Sequence, residues 1–332
     1  MKPVANSRPA RVGFTLTDLC ALLAILMMLL AITPALCHKA SERSKMVSCF
    51  TNLHGIAMAL IEYSNKNNGK YPRTNFDPNS SVLVEYTGVD ATDPFGPGGP
   101  QVNDVSAPMW LLLRVTGMSP RFLVCPVSDA DPYDPATAGL ISYKSNFPSR
   151  QNLTYSLQCP YPTMNAVKEQ WAWDTSSISS DAALAADMNP GTPALLTVSP
   201  KSTVQQLRPA NSQIHSGFGQ NVLYGDYHVA FMQTPFCGSV RDNGTSADYD
   251  NIYTSQTSPP TLGGQPQDVF DSVLLPLATA GFQPPPNSHV SNLKSRSSSV
   301  ATAVVGVLIV GAIVMMLISV KGRNSVAQRP RT

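Results

Sequence analysis

A chain of 332 residues with 13% charged residues, 29 prolines and a formal net charge of +2 has room for about two domains and is poor material for a helical cytosolic enzyme. The charge is unevenly placed: residues 1–13 carry +3 and residues 321–332 carry +4 (Lys321, Arg323, Arg329 and Arg331), which leaves −5 on the remainder. Basic residues that only flank apolar runs are topology signals, so the balance argues against nucleic acid as a partner.

From Phe14 to Cys37 the chain is apolar apart from one carboxylate, Asp18, and these 24 residues would match a hydrocarbon core of roughly 30 Å as a helix. Lys2, Arg8 and Arg11, with no acid among them, assign the preceding segment to the cytoplasmic side. An acid in such a run costs roughly 2.5–3.5 kcal/mol at mid-bilayer, which marks Asp18 as functional. An ordinary signal anchor competes with this reading but has no physical use for an acid.

Gly13 followed by Phe14-Thr-Leu-Thr-Asp18-Leu resembles the type IV prepilin signal. The resemblance implies cleavage by a prepilin peptidase between Gly13 and Phe14, and an assembly role for Asp18 at a position where most members carry glutamate. Pro34 falls where pilin and pseudopilin helices often kink.

His38 to Asn67 continues as a helix. Met46, Phe50, Leu53, Ile56, Ala57, Leu60 and Ile61 recur at steps of three and four, which builds one apolar stripe; Asn67-Asn68-Gly69 caps it and Pro72 prevents resumption. The stripe is expected to lie against a sheet. Cys49-Phe-Thr-Asn-Leu-His54-Gly-Ile-Ala-Met-Ala-Leu-Ile-Glu-Tyr, followed by Gly69-Lys-Tyr-Pro, is similar to pseudopilin-like proteins, especially the planctomycete set with prepilin-type N-termini.

Residues 74–108 are rich in Pro, Gly, Asp and Asn and read as a long surface loop. Trp110-Leu-Leu-Leu-Arg-Val is a short apolar run, and the family resemblance implies a small helix there before the turn Phe122-Leu-Val-Cys125-Pro126. Asp129, Asp131 and Asp134 could gather around calcium, although acids beside prolines are more often solvated turns.

Of six cysteines, Cys20 and Cys37 read as small apolar fillers of the first span. An oxidising compartment makes one disulfide plausible, with Cys125–Cys159 the first choice, though sequence does not fix the pairing. No CxxC pair is present, so a structural zinc site is not expected; no cofactor is expected either.

Leu153–Cys159 alternates and contains β-formers, which predicts a strand, and a polar helix is expected over Thr163–Trp173. Ala182–Asp187 reads as helix by composition and as a strand by the family resemblance. Asn221-Val-Leu-Tyr and His228-Val-Ala-Phe, around Gly225-Asp226-Tyr227, predict a β-hairpin.

The stretch from His215 to Asp226 resembles the H-x9-DG motif of planctomycete prepilin-like proteins. This copy has ten intervening residues and Tyr227 in place of the glycine, which would strain a turn that wants positive φ. His215, Asp226 and His228 invite a metal or acid–base reading. The preferred reading is a hydrogen bond from His215 to Asp226 that fixes the hairpin register. No catalytic sequence motif accompanies them, so no enzyme is expected.

Residues 251–299 read as a loop-rich linker, residues 300–320 as a second, uncharged membrane helix, and residues 321–332 as a basic cytoplasmic tail. The expected fold is α+β and pilin-like: a long N-terminal transmembrane helix packed on a small antiparallel sheet within an extracytoplasmic domain (38–250), plus a C-terminal transmembrane helix. The expected function is that of a pseudopilin-like structural protein of a type II secretion or type IV pilus-like system, two-pass in the inner membrane with a periplasmic domain. Prepilin peptidase, other copies or pseudopilins and the lipid bilayer are the expected partners. The alternative is a membrane-tethered periplasmic binding or metal-dependent hydrolytic domain. A second anchored helix would oppose extraction into a filament.

Overall fold

In the computed structural model the described residues are 16–242 and 247–278, with the side chains of 17, 18, 30–46, 242 and 247 left out. The chain divides into two units, one made of Glu42–Asn287 and the other of the terminal segments Met1–Ser41 and Ser288–Thr332. The larger unit carries the α+β architecture.

Helix α1 spans Leu16–Lys66. Its second half follows the predicted stripe: Leu53, Ile56 and Leu60 are fully buried and Ala57 nearly so. Burying each large aliphatic side chain contributes about 2 kcal/mol. The helix stops where expected, because Asn68 and Gly69 turn left-handed (φ 54° and 79°) and the Gly69 N–H donates to the Ser64 carbonyl at 2.9 Å. Helix α2, Ala107–Thr116, has Pro108 in its first turn and Gly117 (φ 68°) closing its end. Trp110 is fully buried at the centre of α2, edge-on to Tyr133 and Phe147. Short helical turns follow at α3 (Pro135–Ala138), α4 (Met164–Lys168) and α5 (Val204–Leu207). The polar helix expected over 163–173 is therefore only the five residues of α4.

The strands are β1 (Tyr155–Gln158), β2 (Ala183–Asp187), β3 (Gln220–Tyr224), β4 (Val229–Met232), β5 (Phe236–Asp242), β6 (Ala247–Asn251), β7 (Thr254–Ser255), β8 (Thr261–Leu262) and β9 (Leu274–Leu275). Five form one antiparallel sheet in the order β4-β3-β2-β1-β9. Ala182–Asp187, on which composition and family resemblance disagreed, is thus mainly strand. Tertiary pairing on both sides outweighs the helix propensity of its alanines. Residues 251–278, expected as linker, supply β9 to the sheet and belong to the larger unit.

The sheet is covered on both faces. Tyr155, Leu157, Ala185, Leu223 and Val229 join the α1 stripe and α2 in one core, while Ala183, Ala186, Val222, Tyr224 and Leu274 pack with Cys237, Ile252 and Tyr253 in another. The loop before α2 has no regular strand yet is tightly organised. Asp104, fully buried, accepts through Oδ2 from Thr87 N, Thr87 Oγ1 and Asn146 Nδ2, and through Oδ1 from Ser106 N, Ser106 Oγ and Ala107 N.

One expectation is overturned. No helix among the described residues is long and apolar enough to cross a membrane. The long N-terminal transmembrane helix expected over Phe14–Cys37 is therefore not borne out. The second expected span, 300–320, lies outside the described residues.

Candidate functional site

The sheet face under α1 gathers the chemistry. Asp187 ends β2 directly opposite Tyr155 of β1, and so points to the same face as that core tyrosine. Its Oδ2 accepts from Asn221 N at 2.6 Å and Asn221 Nδ2 at 3.0 Å. His215 ends the helical turn Gln213–His215 and brings Nε2 to 3.2 Å from the same Oδ2 and to 3.1 Å from Asn221 Nδ2. The turn can double back because Ser216 (φ 57°) and Gly217 (φ 72°) are both left-handed; a Cβ at Gly217 would collide with the Arg208 carbonyl oxygen. Asp187 is fully buried, and its Oδ1 has no hydrogen-bond partner among the described residues.

Above this pair lies a disulfide between Cys49 of α1 and Cys125, with Cα atoms 5.2 Å apart and 76 residues of sequence separation. Cys125 follows the turn Pro120–Leu123, and its N–H donates to Thr154 Oγ1 at 2.6 Å. Asn52, one helical turn after Cys49, donates through Nδ2 to the Val124 carbonyl at 2.9 Å and to the Tyr155 hydroxyl at 3.3 Å. Burial, with the negative charge of Asp187, pushes the Tyr155 hydroxyl well above its ordinary range, so it stays protonated.

The expected pairing of Cys125 with Cys159 is not formed. Cys159 is a free, fully buried thiol whose pKa burial pushes up to about 12, and its Sγ lies 3.8 Å from the Tyr161 carbonyl oxygen. The cross-strand bond from His215 to Asp226 is not formed either, because Asp187 takes the imidazole. Asp226 sits exposed at the hairpin turn and accepts from His228, whose Nδ1 is 2.5 Å from Oδ1. Hydrogen bonding to His228 holds the Asp226 carboxyl below the usual range. His215, Asp226 and His228 are thus not assembled into one ligand group among the described residues. Asp129, Asp131 and Asp134 do not form one either; Asp134 caps α3 by accepting from Ala136 N.

Gly13 and Phe14 lie outside the described residues, and Asp18 falls within α1 with its side chain undescribed. The sequence reading missed Cys49 and Asp187 as site residues. The available signal for Asp187 was a charge closing an otherwise apolar run, Ala182–Ala186. Among the described residues one group could hold a metal ion: one ligand atom each from Cys49, Cys125, Asp187 and His215, all within 4.8 Å of one another and all buried.

A second buried acidic pair, Asp250 and Asp271, lies near the start of β9. Asp250 accepts from Ser272 N and Gln256 Nε2, and Asp271 from Gln256 N and Gln267 N. Burial raises both carboxyls, Asp271 to about 7.

No family model, curated protein or solved structure matches this chain.

Proposed function

We propose that this chain is a structural, pilin-like subunit that functions outside the cytoplasm and belongs with the pseudopilin-like components of type II secretion or type IV pilus-like systems. One observation carries the reading: α1 is a single helix of 51 residues whose far end is built into an α+β unit while its start exposes nine large apolar side chains, Leu16, Leu19, Leu22, Leu23, Ile25, Leu26, Met27, Met28 and Leu29. A helix apolar on all sides needs covering. The same helix of further copies or of other pseudopilins is the cover that a filament core supplies. The Cys49–Cys125 disulfide supports an oxidising compartment. The leader reading adds cleavage between Gly13 and Phe14 by a prepilin peptidase. Intact mass and N-terminal sequencing of the protein from its own cells test the proposal: a chain starting at Phe14 is expected, and one that retains residues 1–13 would overturn it.

A further inference from the structure

We infer that the disulfide and the Asp187–His215 pair together form a redox-gated site for a divalent cation of the zinc class, closed to metal when oxidised and open to it when Cys49 and Cys125 are reduced. Two sulfurs, one carboxylate and one imidazole are four donors, the number and type that tetrahedral zinc takes. With metal–ligand bonds of about 2.0–2.3 Å, the ligand atoms of a tetrahedral site stand about 3.3–3.8 Å from one another. The four atoms here lie within 4.8 Å of one another, so binding asks the two sulfurs, joined to each other, to separate and the widest-spaced donors to close by about 1 Å.

The residues come from four separate segments: α1, the turn after Pro120–Leu123, β2 and the turn Gln213–His215. A bound cation would therefore tie together the two parts of the chain that the disulfide ties and add β2 and the Gln213–His215 turn to them. Asp187 brings an independent sign of a ligand. A carboxylate oxygen buried without a hydrogen-bond partner is costly to leave unsatisfied, and a cation satisfies it directly.

The charges close as well. With the imidazole neutral, as a metal ligand must be, the oxidised group carries the charge of Asp187 alone. In the reduced, loaded form the two thiolates cancel the dication, so the buried net charge is unchanged. Reduction needs an external dithiol: it gives two electrons and two protons to the S–S bond and leaves as its own disulfide, producing two thiols here. Metal entry then releases those two protons to solvent, and reoxidation by a disulfide expels the metal.

The test uses cobalt(II) as probe on the full chain, either oxidised or reduced with a phosphine that is removed under argon. In the reduced protein, one cobalt per chain is expected, with a thiolate-to-cobalt charge-transfer band and the strong visible bands of a tetrahedral ion. The oxidised protein should show neither band. Asp187→Asn and His215→Ala should each weaken binding tenfold or more. Cys20→Ser/Cys159→Ser/Cys237→Ser, which removes the other free thiols among the described residues, should leave it unchanged. Because a ligand variant could simply fail to fold, a second readout uses the unmodified chain: zinc should restore the thermal midpoint lost on reduction. Equal cobalt binding in the oxidised form, absence of the thiolate band on reduction, or loss of that band in the triple Ser variant would each overturn the inference.

Discussion

The hydroxyl of Tyr227, at the tip of the β3–β4 hairpin, lies 2.8 Å from the hydroxyl of Tyr71, on the segment that leaves α1. Tyr227 sits at φ 68°, the left-handed conformation the sequence reading said the turn would require. A non-glycine residue there costs about 1–2 kcal/mol. The bond to nearly buried Tyr71 is what the side chain gains in return.

Tyr71→Phe and Tyr227→Phe should therefore each lower stability by about 1 kcal/mol, and the double variant by clearly less than the sum of the two, since both remove one hydrogen bond. Urea unfolding of the four proteins completes the cycle. Full additivity would show that the two hydroxyls do not interact.

Reduction of Cys49–Cys125 without added metal releases a loop of 76 residues' separation, which on chain-entropy grounds lowers stability by about 4 kcal/mol. Denaturation with reductant and a chelator should show that loss, and Cys49→Ser/Cys125→Ser should reproduce it. Cys159→Ser should leave the disulfide intact in a non-reducing peptide map.

The Asp250–Asp271 pair predicts the pH dependence. Both carboxyls are raised in the folded chain, Asp271 to about 7, so between the unfolded value of about 3.9 and the folded one the native state holds more protons than the unfolded state. Their contribution is full below that window and is lost as pH rises through it. Urea midpoints should fall from pH 5 to pH 8, and Asp271→Asn should flatten the fall. A midpoint that rises over the same range in the unmodified chain would contradict the assignment.

Asp104→Asn places an amide N–H₂ where one carboxylate oxygen receives three donors. A loss of about 3 kcal/mol is expected from the unmet hydrogen bonds. Limited proteolysis should then cut first within 74–106. Unchanged resistance there would mean that Asp104 does not hold the loop.

What could be read in the sequence was what period and turn chemistry encode. The stripe Leu53-Ile56-Ala57-Leu60 gives the buried face of α1, Gly69 its end, and the apolar segments around Gly225-Asp226-Tyr227 the hairpin. Partnerships across long sequence separations could not be read. Cys125 meets Cys49 rather than Cys159 because α1 packs on the sheet, and His215 meets Asp187 rather than Asp226 because β2 pairs with β3; no local pattern states either. The loop at 74–108 was legible as irregular, but its ordering by the buried carboxylate of Asp104 and the buried amide of Asn103 was not. The membrane helix was inferred from hydropathy and is not supported among the described residues.

The last strand of the central sheet has a consequence for how the protein is made. β9 pairs with β1 through Leu157↔Leu275 and Gln158↔Leu274, so β1 keeps one side of its backbone unpaired until the chain has been synthesised past residue 275. A nascent or truncated chain that stops earlier presents that bare edge to any other extended segment, and open edges recruit strands from neighbouring molecules. The sheet can thus be completed only after residue 275 has been made.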